Sequence, residues 1–206
     1  MSRPAGARNH DFCEKRTALL DTLTDFALAA ALTRPSLRQF AIAANQSEPT
    51  LRHYFGDRQG LVLEIIENIG LRSKAVWDLV RAPAANPAEA ISEYFALAEA
   101  GMKNGGFTRA HAFGVIEGFA DDQAGKAYRE KMLDPALRAF SDKLAVTQGG
   151  PRNPQKLLAA TLAATAPLFL FGVHQELLGG RQDEPIDMPK TFGLLQKWMT
   201  KAFTAA

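Results

Sequence analysis

The sequence predicts an all-α protein of about nine helices, with an N-terminal three-helix helix-turn-helix domain (residues 1–56) and a C-terminal helical bundle (57–206). Three observations predict it. Apolar residues recur at three- and four-residue spacing in segment after segment. No stretch carries a strand pattern. Breakers fall between the periodic segments: Pro83, Asn86-Pro87, Gly105-Gly106, Gly149-Gly150-Pro151, Asn153-Pro154 and Gly179-Gly180. With 206 residues, 47% hydrophobic and 22% charged, the chain reads as a soluble globular protein able to bury a substantial core.

The first ten residues lack an apolar run and read as a basic arm rather than a secretory signal. A first helix is expected over about residues 12–31, with Phe12, Leu19, Leu20, Leu23, Phe26, Ala27 and Ala30 on its buried stripe. Lys15 and Arg16 near its start are placed to reach a phosphate. Cys13 reads as a small apolar filler; as the single cysteine it allows no intrachain disulfide, which fits a reducing cytoplasm.

Residues 36–55, SLRQFAIAANQSEPTLRHYF, then read as two short helices and a tight turn. Ser36 is the first N-cap, and Leu37, Phe40, Ala41 and Ala44 form the apolar stripe. Asn45 tolerates the left-handed conformation that ends a helix. Ser47 is the second N-cap, and Pro49 sits in the first turn, where its missing N–H costs nothing. Leu51, Tyr54 and Phe55 face back. Thr50, Arg52, His53 and Glu48 face outward, a row suited to base edges in a major groove. Residues 48–55 are the expected recognition helix.

Asp57 caps a fourth helix over 58–81, whose stripe is Val62, Ile65, Ile66, Ile69, Val76, Trp77 and Val80. Helices follow over about 87–102, 108–120, 122–147 (with Pro135 as a kink), 155–179 and 187–204. The eighth, between Leu157 and Val173, is almost free of charge. It is expected to be buried in protein, because the apolar stretch falls short of the ~20 residues a membrane span needs. The eighth and ninth helices together hold more apolar surface than one chain can cover.

The net charge is +2, and its excess sits at the front: residues 1–60 hold eight Lys and Arg against six Asp and Glu, and the remainder sixteen against sixteen. Catalytic classes find no foothold. His10, His53, His111 and His174 are scattered without metal-ligand spacing, and no phosphate loop, nucleophile elbow or dinucleotide fingerprint occurs. No cofactor and no metal are expected, and Asp121-Asp122 read as a helix cap. The alternative to a DNA reader is a helical scaffold or interaction protein without sequence-specific DNA binding.

Phe40-Ala41, Ala43-Ala44 and Ser47-x-Pro49-Thr50-Leu51-x-x-Tyr54-Phe55-Gly56-x-Arg58-x-x-Leu61 resemble the tetracycline-repressor (TetR) family of bacterial regulators over roughly residues 12–66. Asn45, Gln46 and Arg52 depart from residues common in that family. The resemblance implies a ligand-responsive repressor that binds a pseudo-palindromic operator in double-stranded DNA as a homodimer, and is released by a small, largely apolar effector. The expected DNA-binding residues are Ser36, Arg38, Thr50, Arg52, His53, Tyr54 and Arg58, with Arg58 on a phosphate. Glu48 either accepts from a cytosine amino group or faces the helix dipole. The expected effector-binding residues are Trp77, Phe95, Phe107, His111, Phe113, Tyr128 and Phe169, with His111 open to a second reading as a hydrogen-bonded core histidine. His174 and Gln175 are placed to reach the pocket or the partner. The expected dimer interface, through helices 8 and 9, uses Ala160, Ala164, Phe171, Phe192, Leu195, Trp198 and Met199.

Overall fold

A computed structural model describes residues 5–30, 33–103 and 105–204, with side chains for 12–30, 33–102 and 105–202. Among the described residues there is no strand, and the all-α expectation holds. In chain order the helices are α1 (Ala5–Ala29), α2 (Leu37–Ala43), α3 (Glu48–Phe55), α4 (Arg58–Arg81), α5 (Pro87–Lys103), α6 (Gly106–Ala120), α7 (Asp122–Tyr128), α8 (Asp134–Val146), α9 (Pro154–Phe171), α10 (Gly180–Asp183) and α11 (Met188–Thr204). A π-helical turn at Arg129–Leu133 joins α7 to α8, and a second at Gly172–Leu177 extends α9.

The chain divides into two compact units. One holds residues 1–72 with 112–131, and the other 73–111 with 132–206. This differs from a division at residue 56. The first half of α4 belongs with the amino-terminal helices because Leu61, Val62, Ile65, Ile66 and Ile69 are buried there. Polar pairs tie the same stretch to α1. Arg72 donates to Asp21 at 2.7 Å and to Asp25 at 2.5 Å, Asn68 donates to Asp21 and Thr24, and Arg16 pairs with Glu64. The bonds from Arg72 and Asn68 hold the Asp21 carboxyl below the usual carboxylate range. In the same unit α6 and α7 approach closely at Gly118 and Gly125. A Cβ on Gly118 would lie 2.9 Å from the Gly125 Cα, so neither helix can carry a side chain there.

The second unit is built on a core of Ile91, Tyr94, Phe95, Phe140, Leu144, Ala164, Leu168, Phe171 and Phe192. Tyr94 stacks on Phe140 with ring centroids 4.1 Å apart, and its hydroxyl meets that of Thr165 at 3.2 Å. Lys143 is buried, and its ammonium donates to the Ala82 carbonyl and the Glu93 carboxylate. A buried cation is tolerated only with such partners. Here it also covers the carbonyl just past the end of α4, where the helix dipole favours positive charge.

Several boundaries differ from those expected. The first helix begins at Ala5, so residues 5–10 are helical; residues 1–4 of the expected arm lie outside the described residues. The helix expected over 122–147 is interrupted by the π turn at 129–133, after which α8 restarts with Pro135 in its first turn, the position that tolerates proline. Val76 is half exposed rather than buried, and Cys13 is exposed rather than filling a core. With its π turn, the α9 run covers Pro154–Leu177, 24 residues, which is long and apolar enough to cross a membrane by length and composition. The length argument for burial therefore fails, and only a third of its apolar window is buried within the chain.

Candidate nucleic-acid interface

The turn between α2 and α3 is set by backbone hydrogen bonds. Ser36 accepts from the amide of Gln39 while the Gln39 side chain accepts from the amide of Ser36, a closed capping box at the start of α2. At its end Asn45 takes φ +50°. The Asn45 amide donates to Ile42 and the Gln46 amide to Ala41. This pair of bonds is the Schellman arrangement, which satisfies the last carbonyls of a helix. Ser47 then accepts from the amide of Thr50 and shares a 2.8 Å hydroxyl bond with its side chain. Pro49 sits in the first turn of α3, and Gly56 closes the helix at φ +80°. The α3 span of Glu48–Phe55 coincides with the expected recognition helix.

Leu51 and Phe55 are buried, which fixes the opposite face outward. Arg38, Arg52 and His53 are exposed and Thr50 is half-buried. Ser36 and Thr50 contribute to caps as well as to the surface, and each hydroxyl still has acceptor or donor capacity. Tyr54 is half-buried, its ring 5.0 Å from that of Phe12 on α1, while the His53 ring sits 5.8 Å from Phe12. Phe12 thus stiffens the outward row from beside it, although Phe12 is itself partly exposed. Glu48 lies in the first turn of α3, where the helix dipole favours an acid.

Two expected phosphate contacts are otherwise engaged. Arg58 donates through Nε to the Pro35 carbonyl at 2.7 Å and through Nη1 to Glu117 at 3.1 Å, with Nη2 on the second Glu117 oxygen. Its guanidinium is occupied inside the protein because a buried carboxylate needs compensation. Arg16 pairs with Glu64 and donates to the Tyr54 carbonyl. Arg34 also donates to Glu117, at 3.2 Å, and neither residue stands out from the sequence pattern. The available sign was a single acid in the otherwise unacidic stretch Gly106–Ala120.

The expected effector residues fall in both units. Phe113 and Tyr128 are buried in the first unit, where the Tyr128 ring lies against Gly114 and burial pushes its hydroxyl up to about 12. Trp77, Phe95, Phe107, His111 and Phe169 belong to the second. Of these, Phe95 is plain core, 5.2 Å from Phe192. His111 lies 4.5 Å from the Phe107 ring and 6.2 Å from Phe169, and burial lowers it to about 4, so it is neutral at pH 7. Beside it on α6 the Thr108 hydroxyl is buried without a hydrogen-bond partner. Phe119, near the end of α6, is 90% exposed. Gln175 is engaged within the chain: its side-chain amide bonds the carbonyl of Glu184, the amide of Ile186 and the His174 ring, closing the loop after α9. A cavity of about 580 Å³ lies elsewhere in this unit, among Gly149, Arg152, Lys156, Ala163 and Met199, and none of the expected effector residues lines it.

The residues expected at a dimer interface differ in their burial within the chain. Ala160, Ala164, Phe171 and Phe192 are buried in the chain's own core, and Leu195 and Met199 pack against it. Leu195 and Met199 remain partly exposed. Trp198 is exposed, and so are Leu158, Leu162, Phe169 and Leu170 on α9 and Leu194 on α11.

No family model matches the sequence, and no curated protein matches it. The fold is shared with a solved structure. A crystal structure from Mesorhizobium loti MAFF303099, provisionally assigned to the TetR family of transcriptional regulators, superposes with a TM-score of 0.61 at 15% identity. The match covers 94% of this chain and 96% of that one. The chain therefore has the all-α fold of that regulator along nearly its whole length, and the resemblance read from residues 12–66 extends, as fold, to the rest.

Proposed function

We propose that this protein is a DNA-binding transcriptional regulator, a cytoplasmic repressor that acts as a homodimer on a pseudo-palindromic operator. The observation that carries this reading is the α3 surface. A helix capped at both ends, joined to α2 by a Schellman turn, holds Arg52 and His53 in the open while Leu51 and Phe55 anchor its back. An arginine at such a position can bond a guanine bidentately. Arg38 and the Ser36 cap lie at the start of α2, where a helix crossing the backbone meets phosphate.

Dimerisation is proposed through the exposed apolar stripe of α9 and α11, which leaves Leu158, Leu162, Leu170, Leu194 and Trp198 open to water in the single chain. Two-fold symmetry would place two copies of α3 one helical turn of DNA apart, or a multiple. Release by a small, largely apolar effector is the proposed regulation, and the ring group of Phe107, His111 and Phe169 supports it as aromatic surroundings of the kind an apolar ligand takes. The ligand acts only by its differential affinity for the state that does not bind DNA.

The test is a fluorescence titration of random-sequence duplex at low and moderate salt. A steep loss of affinity with salt supports the DNA reader, because neutralised phosphates release counterions. Indifference to duplex at both salts supports the scaffold alternative.

A further inference from the structure

We propose that Glu117 is the positioning residue that holds the helix-turn-helix in its DNA-reading geometry, acting through Arg34 and Arg58. The proposal rests on the DNA-binding reading above and goes beyond it.

The Glu117 side chain is 1% exposed, on a helix with no other acid. Both its oxygens are used. Arg58 takes one with Nη2 and the other with Nη1 at 3.1 Å, and Arg34 adds Nε at 3.2 Å to that second oxygen. The placement of the two arginines is what gives the carboxylate its reach. Arg58 is the first residue of α4 and follows α3 by only Gly56 and Asp57. Its Nε binds the carbonyl of Pro35, the residue just before the Ser36 cap of α2. Arg34 comes one residue earlier. A single carboxylate on α6 thus grips the chain where it enters the helix-turn-helix and where it leaves.

A guanidinium fork fixes orientation as well as distance. Reading base edges tolerates errors of only about 0.5 Å and 10–20° in the supporting frame. The same pairing has a second effect. While bound to Glu117, the two arginines offer little charge to a phosphate. Freed from it, they would add attraction for any duplex, whatever its sequence. Loss of the carboxylate therefore acts in opposite directions on selected and on random DNA, which a merely structural residue would not do.

The experiment compares wild type with Glu117→Gln on two probes: the duplex most enriched from a random pool by the wild-type protein, and a scrambled duplex of equal length and composition. Affinities are taken at two salt concentrations, with thermal unfolding in parallel. The expected result is a fall of about tenfold in the ratio of selected to scrambled affinity, with scrambled binding equal or tighter and its salt dependence steeper. If Glu117→Gln does not fold, the triple variant Arg34→Met, Arg58→Met, Glu117→Met replaces it, since apolar substitution of a buried ion cluster is often tolerated. That variant should lose the ratio without gaining scrambled binding. An unchanged ratio in the folded variant overturns the proposal. If the wild-type protein enriches no duplex, the DNA-binding reading itself fails and this proposal falls with it.

Discussion

The amide of Gln46 donates to the carbonyl of Ala41 at 2.9 Å, five residues back across the end of α2. This bond is possible only because Asn45 between them turns left-handed, at φ +50°. Glycine adopts that conformation without steric cost and a β-branched residue adopts it poorly. Asn45→Gly should leave stability within about 0.5 kcal/mol of wild type, while Asn45→Val should cost about 1–2 kcal/mol. Urea unfolding followed by circular dichroism measures both. Equal stability of the valine variant would mean that the turn is not held as described.

Arg52 and Arg58 are both arginines of the helix-turn-helix region, but their surroundings assign them different work. Arg52 is exposed and Arg58 is bound to Glu117 and Pro35. Arg52→Ala should weaken binding to the selected duplex by about 1–3 kcal/mol with no change in unfolding. Arg58→Ala should lower unfolding stability by about 2 kcal/mol, because it leaves a buried carboxylate with Arg34 alone. Paired titrations and melts separate the two. A stability loss in the Arg52 variant and none in the Arg58 variant would reverse the assignment.

His111 gives the fold a pH dependence whose sign is fixed by burial. Its folded value is about 4, below the ordinary 6.5. Between these values the unfolded chain binds a proton that the folded chain does not, so stability is full above pH 6.5 and is lost as pH falls toward 4. From pH 7.5 to 5 the loss should be about 2 kcal/mol. His111→Gln should flatten that part of the profile. Chemical denaturation at both pH values in the two proteins checks it, and an unchanged profile in the variant would place the effect on other groups.

The proposed dimer predicts which apolar substitutions matter to assembly. Leu162 is exposed on α9, on the same helix face as the exposed Leu158 and Phe169. Leu162→Glu should give a folded monomer by sedimentation, with the helical content of wild type and weakened binding to a two-fold duplex. Ala164→Leu, in the fully buried row, should instead destabilise the chain itself, because there is no space for the added atoms. A dimeric Leu162→Glu protein would move the interface elsewhere.

What was legible in the sequence and what was not follows from the range of the interactions. The bounds of α3 and α4 could be read because local residues decide them: Ser47, Pro49, Gly56 and Asp57 cap, start or stop helices within a turn of their own position. The fate of Arg58 could not be read, because its partner is 59 positions away. The face of α9 was also hidden. A helix apolar on nearly every side has no periodicity to say whether Ala160 or Leu162 points inward, and here Ala160, Ala164 and Leu168 face in while Leu158 and Leu162 face out. The aromatic residues expected to meet in one pocket divide between two units, since aromaticity alone says nothing about which core a ring joins.

Selection from a random pool of duplex DNA bears most directly on the account, since it asks whether the exposed row of α3 reads sequence at all. The prediction is enrichment of a pseudo-palindrome whose half-sites lie about 34–36 Å apart or a multiple of that, with enrichment lost in Arg52→Ala. A pool that emerges without a common sequence, or the same sequence enriched equally by Arg52→Ala, would contradict it.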